Sequence, residues 1–369
     1  MHQPVQFFAG TRRALFCGDG DRRGGERNQH GAELHCATIV AMQIEEMVLL
    51  APLTTFCIGG PAKYFIRIRN VEELTQSLDF ARDKNLATLI FGGGSNVLVR
   101  DAGFDGLVIK IEIAGIEQEG EMLIAGAGES WDGLVARAVN DGLWGIENLS
   151  GIPGTVGAAP VQNIGAYGSE IKNTLAWVEA FDTQSGQVVR LQNTDCGFGY
   201  RTSRFKKEPG RFVVLRAVFK LNKNGAPNTS YKDLADSARS NLAEIRAKVL
   251  AVRAGKFPDL KKEGTAGSFF LNPVVSAQKA AELLEKYPNL PNFPAENGRK
   301  VSLAWLLDNV LHVKGLSVGG ARLYEKQPLC IAASRTASAS DVAGLAKKVA
   351  ELVQDKLKII IEPEVKIIN

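Results

Sequence analysis

Thr88-Leu89-Ile90-Phe91-Gly92-Gly93-Gly94-Ser95-Asn96-Val97-Leu98-Val99 is the stretch on which the fold turns. Its two ends, Thr88 to Phe91 and Val97 to Val99, are short apolar and β-branched runs that predict strands. The residues between them predict a tight loop. Three glycines let backbone N–H groups converge on an anion, and Ser95 and Asn96 add side-chain donors. No Gly-Lys-Ser/Thr follows, so this is not the loop of a nucleoside-triphosphatase. A strand rather than a helix comes next, and Val97 stands where a third glycine would be, which excludes the doubly wound dinucleotide fingerprint. Taken alone, a plain tight turn explains the loop equally well.

Working outward, Asn70 with Glu73 predicts a capping box, and Leu74, Leu78 and Ala81 the apolar face of the helix that follows. Strands are expected at Leu107 to Ile111 and Met122 to Ala125. Ser130 caps a helix through Leu134 and Ala138 that ends near Gly142. Such irregular mixing indicates α+β rather than a regular βαβ alternation. Leu242, Ile245, Val249 and Val252 make an amphipathic helix, and Gly255-Lys256-Phe257-Pro258 marks a boundary after it. A smaller α/β unit follows, with helices at Leu303 to Val310 and Val342 to Leu352. Lys358 to Ile367 is strand-like, with Pro363 confining it to an edge or bulge.

The composition narrows the function. With 369 residues, 45% hydrophobic and 23% charged, the chain is an ordinary globular sequence; length suggests roughly two to three domains. No apolar run approaches the ~20 residues of a membrane helix, so no membrane partner is expected. The net charge of +4 is scattered and aromatics are 7%, a pattern that suits small anions and not nucleic acid. Five cysteines without a CxxC argue against a disulfide framework or zinc ribbon, and for a reducing, cytoplasmic setting with no metal. Of four histidines, three lie in the first 35 residues and one is His312. Residues 1–47 carry a long nearly apolar-free stretch and are expected to be a disordered extension. Whatever chemistry the rest performs, it does without a histidine base.

Further segments could carry chemistry. Glu147 to Gly168 is long, glycine-punctuated and almost uncharged, which suggests backbone packed on a large flat ligand or, alternatively, a buried structural loop. Phe198-Gly199-Tyr200-Arg201-Thr202-Ser203 places an arginine where it could hold a carboxylate or phosphate. Thr265-Ala266-Gly267-Ser268-Phe269-Phe270 sets a serine between a glycine and two aromatics, without the second glycine of a nucleophile elbow. Glu364, beside Pro363, is either a solvent-facing residue or a buried acid with a raised pKa. Singly, each has an ordinary structural explanation.

Together, in this order, they resemble the UDP-N-acetylenolpyruvoylglucosamine reductase family, its longer type I branch. The resemblance runs from about Leu53 to Lys366 and includes Thr55-Phe56, Gly59-Gly60, the Gly92 to Asn96 loop, Ile152 to Gly168, Gly199-Tyr200-Arg201, Gly267 to Phe270 and Glu364-Val365. It implies a two-part FAD-binding domain of the vanillyl-alcohol-oxidase (PCMH-like) type over residues 48–225. A linker with a mobile tyrosine loop and a helix would span 226–256. A smaller α/β substrate-binding domain would occupy 257–369, its last strand returning toward the FAD domain.

The resemblance also implies roles. FAD would be held non-covalently by Gly92, Gly93, Gly94, Ser95 and Asn96 at its pyrophosphate, and by Ile152, Pro153, Gly154, Gly157, Asn163, Ile164, Gly165 and Arg201 along the flavin. NADPH would reduce it and leave, and the enolpyruvyl ether of UDP-N-acetylglucosamine would then receive hydride at C3. Arg201 and Glu364 match the pair that stabilises the enolate-like species, and Ser268 the proton donor to C2. Tyr231, Arg253 and Lys256 match the diphosphate contacts, with Asn272 and Gln327 as further substrate contacts. Cys57 departs from the family in replacing a usual glycine. Glu362 is expected to be a bystander on the same strand face as Glu364. The oligomeric expectation is a monomer. An FAD-dependent alcohol or sugar-lactone oxidase is the competing expectation; such enzymes frequently attach flavin through a histidine.

Overall fold

The structure, a computed structural model, describes residues 42–369. The expected extension lies outside the described residues up to position 41. Order begins earlier than its expected end, because β1 (Glu45–Leu49) pairs antiparallel with β2 (Pro61–Ile68), Glu45 opposite Phe65. β1 is mostly exposed and is held by its backbone ladder, which composition does not register.

α1 (Val71–Asp83) follows, with Asn70 accepting the Glu73 N–H at 2.8 Å. The Glu73 carboxylate accepts from Arg69 rather than from Asn70, so the expected reciprocal box is displaced by one residue. β3 (Ala87–Phe91) and β4 (Val97–Val99) flank the glycine loop, and β5 (Phe104–Ile111) runs parallel between β2 and β3. The first sheet therefore has the order β1-β2-β5-β3.

β6 (Ile116–Glu119), β7 (Met122–Gly126), α2 (Trp131–Asn140), β8 (Leu175–Asp182), β9 (Gln187–Gln192) and β10 (Phe212–Lys220) form the second part. Its antiparallel sheet runs β9-β8-β10-β7-β6. Leu74 of α1, Ile109 of β5, Trp131 of α2 and Phe219 of β10 belong to one continuous buried core beneath both sheets. That shared core makes the two parts one body. α3 (Leu242–Lys256) starts with a reciprocal capping box between Asn241 and Glu244 and buries Leu242, Ile245 and Val249.

The C-terminal unit adds β11 (Val274–Val275), α4 (Ala277–Lys286), β12 (Asn292–Ala295), β13 (Gly298–Val301), α5 (Leu303–Asn309), β14 (Ser317–Val318), β15 (Ala321–Tyr324), β16 (Gln327–Ala333) and α6 (Ala339–Leu357) around a second core. Phe56, Ile58 and Leu98 of the first unit are buried in that core. The closing strand is shorter than expected: β17 covers Lys366–Ile368 and pairs parallel with β4. Before it, the chain bends at Glu364–Val365, which breaks the strict two-residue alternation.

Gly264 joins the units. It exchanges two 2.8 Å backbone hydrogen bonds with Ala333, and a Cβ there would lie 1.9 Å from the Phe56 carbonyl. Gly264→Ala is expected to cost about 1–3 kcal/mol through overpacking against backbone that cannot yield. Chemical denaturation measures it; an unchanged midpoint would show that the junction relaxes.

Candidate active site

A cleft of about 850 Å³ opens where the glycine loop, the 151–167 segment, α3 and the C-terminal unit meet. That volume is toward the upper end for small-molecule sites. Ser95, Asn96, Ile152, Pro153, Ile164, Gly165, Arg201, Tyr231, Arg253, Lys256, Ser268, Asn272, Gln327 and Glu364 all line it. Residues separated by more than 250 positions are thus brought to one wall.

The glycines of these segments are tightly packed on the side a Cβ would occupy. A Cβ on Gly93 would meet Gly154 Cα at 2.8 Å, and one on Gly92 would meet Thr155 Oγ1 at 2.7 Å. Gly94, at φ +61, packs against the Leu53 carbonyl, and Gly157 packs on Ala127. The two glycine-rich segments pack directly on each other at Gly93 and Gly154, and Ser95, Asn96, Ile152 and Pro153 line the cleft beside them. Asn163 is fully buried at φ +46 and commits its side chain to protein partners. Its amide donates to Glu170 at 2.9 Å and to the Gly199 carbonyl at 3.0 Å, while its oxygen accepts from Lys172 at 3.1 Å. It holds the Arg201 turn in place.

Arg201 sits on that turn at φ +52, where Gly199 and Thr202 bridge. A non-glycine residue at positive φ is strained, and such strain gathers at sites where a side chain must be aimed. Its Nη2 donates to the Gly165 carbonyl at 2.7 Å, and its Nε lies 3.0 Å from Glu364 Oε1. The Glu364 side chain is only 12% exposed. Burial pushes its carboxyl above the usual range, against the opposing charges of Arg201 and Lys206. Glu362, by contrast, is exposed.

Backbone pairing sets Ser268 beside this pair. Ser268 bridges Cys330 of β16, and the next residue, Phe269, accepts the Glu364 N–H at 2.8 Å. On the other side of Glu364, Asn96 Nδ2 donates to its carbonyl at 3.1 Å and to Gln162 Oε1 at 2.8 Å. The last residues of the chain therefore stitch the glycine loop to the serine strand.

Also lining the cleft, Tyr231 meets Tyr167 edge-to-face at 5.3 Å, and Lys256 Nζ lies 5.4 Å from the Tyr231 ring. Burial alone would lower the Lys256 ammonium, but the Asp233 carboxylate against it and the two tyrosines leave it above its ordinary value. Asn272 spends its side-chain oxygen on the Leu303 N–H at 3.0 Å, capping α5. Gln327 Oε1 accepts from Leu329 N–H at 3.4 Å. Gln162, read from sequence with Asn163 as part of a ligand-facing segment, lines the cleft, and so does Tyr167, which was not singled out. Lys300 Nζ stands 4.2 Å from the Tyr200 ring, tying the C-terminal unit to the Arg201 turn.

The donor set fits a flavin dinucleotide. Thr55 Oγ1 is buried without a hydrogen-bond partner, and its own N–H donates to the Gly94 carbonyl at 3.0 Å. Small and apolar residues line one wall, and cations outnumber acids around the cleft. Cys57 adopts φ +57, a conformation glycine takes freely, and its exposed thiol meets Arg335 rather than the cleft. His312, the single histidine among the described residues, is exposed and outside the cleft. No helix among the described residues is long and apolar enough to cross a membrane, and they contain no metal-binding cluster.

Residues 62–192 match a family model described as FAD binding domain, and residues 259–368 match UDP-N-acetylenolpyruvoylglucosamine reductase, C-terminal domain. The UDP-N-acetylenolpyruvoylglucosamine reductase of Neisseria gonorrhoeae is 42% identical over 317 residues, 81% of this chain and 90% of that one. That of Streptomyces coelicolor is 39% identical over 352 residues, 89% of this chain and 92% of its own. The crystal structure of the reductase from Thermus caldophilus superposes with a TM-score of 0.65 at 27% identity, covering 89% of this chain and all of that one.

Proposed function

Since the chain belongs to the UDP-N-acetylenolpyruvoylglucosamine reductase family, we propose that Ser268, Arg201 and Glu364 are its catalytic residues. The protein is an FAD-dependent oxidoreductase that reduces the enolpyruvyl ether of UDP-N-acetylglucosamine to UDP-N-acetylmuramate in peptidoglycan precursor synthesis. NADPH is the reductant, and the reaction belongs in the cytoplasm, where both nucleotides are soluble substrates.

What supports the site assignment is that these three side chains line the same cleft as Tyr231, Arg253 and Lys256, with Arg201 Nε 3.0 Å from Glu364 Oε1. When bound, FAD supplies the two-electron carrier between NADPH and C3 of the substrate. The Gly92 to Asn96 loop would hold its pyrophosphate, with Ile152, Pro153, Ile164 and Gly165 along its ring system. Arg253 and Lys256 bind the substrate diphosphate, and Tyr231 covers it.

Arg201 pairs with the substrate carboxylate, where negative charge builds as C3 accepts hydride. A pre-organised cation there is the main electrostatic contribution, commonly a few kcal/mol. Buried Glu364, kept protonated by its raised carboxyl, donates an acidic hydrogen bond to the developing enolate beside Arg201, which an amide supplies only weakly. Ser268 gives its hydroxyl proton to C2. A serine is a weak acid, but a developed enolate carbon is basic enough to take the proton, so no histidine is required.

An anaerobic visible spectrum during titration with NADPH and then with the enolpyruvyl substrate tests this. Yellow protein should bleach with the first and recover with the second. Protein that binds no FAD, or bleaches without recovery, would contradict the assignment.

A further inference from the structure

α3 delivers Arg253 and Lys256 to the cleft, yet its docking rests on residues outside it. Arg246, Leu250 and Arg253 are spaced i, i+4, i+7, so they share one helix face. Leu250 and Arg253 reach the start of the 151–154 segment directly, and Arg246 reaches it through Asp132. A Cβ on Gly151 would lie 2.8 Å from Leu250 Cδ2 and 3.1 Å from Arg253 Cδ, so both side chains lie directly over this residue. Arg246 grips Asp132 of α2 with two hydrogen bonds, Nη1 to Oδ1 at 2.7 Å and Nη2 to Oδ2 at 2.9 Å. The same Oδ1 accepts the Gly151 N–H at 2.6 Å.

One carboxylate therefore anchors two walls of the cleft at once. Trp131, its neighbour, strengthens this anchorage: its indole donates to the Leu149 carbonyl at 3.0 Å and its N–H to the Gly154 carbonyl at 3.1 Å. Asp132 is well placed to stay charged. Burial would raise its carboxyl, but the hydrogen bonds from Arg246 and Gly151 and the nearby Arg253 charge outweigh this and lower it.

We propose that Asp132 is a positioning residue for diphosphate binding: by joining Arg246 to Gly151 it fixes the placement of Arg253 and Lys256 relative to the 151–154 wall. It touches no reacting atom. Its effect falls on groups remote from the chemistry, so loosening it weakens ground state and transition state alike and appears in KM rather than kcat. A lysine at position 246 would keep the charge facing Asp132 but only part of the planar bidentate clamp.

This inference rests on the proposed function, since both NADPH and the enolpyruvyl substrate carry a diphosphate. The test measures KM and kcat for both, with flavin content and Tm, in Asp132→Asn, Arg246→Met and the double variant. Expected is a KM about tenfold higher for both substrates, the scale of a small misplacement. kcat should stay within about twofold and FAD content should be unchanged. The double variant should be no worse than either single one, because both break the same contact. Arg246→Lys should recover part of the loss, and it serves as the reading if Arg246→Met does not fold. Unchanged KM with a lowered Tm, effects that add, or a fall in kcat alone would overturn the proposal while wild type still turns over. A wild-type protein that reduces no enolpyruvyl substrate would overturn the functional assignment, and this inference with it.

Discussion

Ser268→Ala is expected to leave bleaching by NADPH at its wild-type rate and to slow recovery of flavin colour by the enolpyruvyl substrate about a thousandfold. General acid–base groups typically contribute 10²–10⁴-fold, and Ser268 is the proposed source of the proton that C2 must receive. The half-reactions separate because NADPH oxidation needs no proton from this residue. The substitution removes one oxygen from a half-buried position on an extended segment, between Gly267 and fully buried Phe269. Backbone pairing with Cys330 and Glu364 does not involve the hydroxyl, so the fold should survive. Stopped-flow absorbance measures both steps, and unimpaired recovery would remove Ser268 from the chemistry.

Glu364→Gln should slow the same half-reaction by about a hundredfold, on the scale of losing one pre-organised polar group, while Glu362→Gln leaves it unchanged. The reverse pattern would mean that the wrong carboxylate carries the role. A pH dependence accompanies it. Because burial raises the Glu364 carboxyl, the native state keeps its proton to higher pH than the unfolded chain does. Stability from this group is complete below the ordinary carboxylate pKa and is lost as pH rises through the raised native value. Recovery of flavin colour should fall over the same rise, as the carboxyl loses the proton with which it hydrogen-bonds the developing enolate. In Glu364→Gln this dependence should be flat. Tm and the substrate half-reaction followed against pH read the two effects; an equal slope in wild type and variant would assign the titration to another group.

Much of the local structure could be read residue by residue. Asn70 and Ser130 each cap a helix as their side chains allow, and the strands on either side of the glycine loop lie where their apolar runs place them. Local signals fail where the partner is distant. β1 was missed because its order comes from β2 rather than from its own burial. The closing strand was drawn too long because Ile359 and Ile361 are buried in the C-terminal core while only Lys366–Ile368 finds a ladder. Why the glycines are needed is also hidden from sequence: a Cβ on Gly93 would strike Gly154, and one on Gly94 the Leu53 carbonyl, contacts that exist only once distant segments meet.

The identity and order of the functional segments belong to the sequence alone: the glycine loop, the uncharged 151–168 stretch, Arg201, Ser268 and Glu364, with the shortage of histidine that points away from imidazole chemistry. Family membership followed from that order. Only the tertiary structure decided that Arg201 Nε meets Glu364 and not Glu362, that Asn163 supports the site from beneath, and that Asp132 joins two of its walls. The physical reason is the range of the forces involved. Side-chain periodicity and capping act over a few residues along the chain. Burial, ion pairing and pKa depend on what the fold brings within a few ångströms, whatever the separation in sequence.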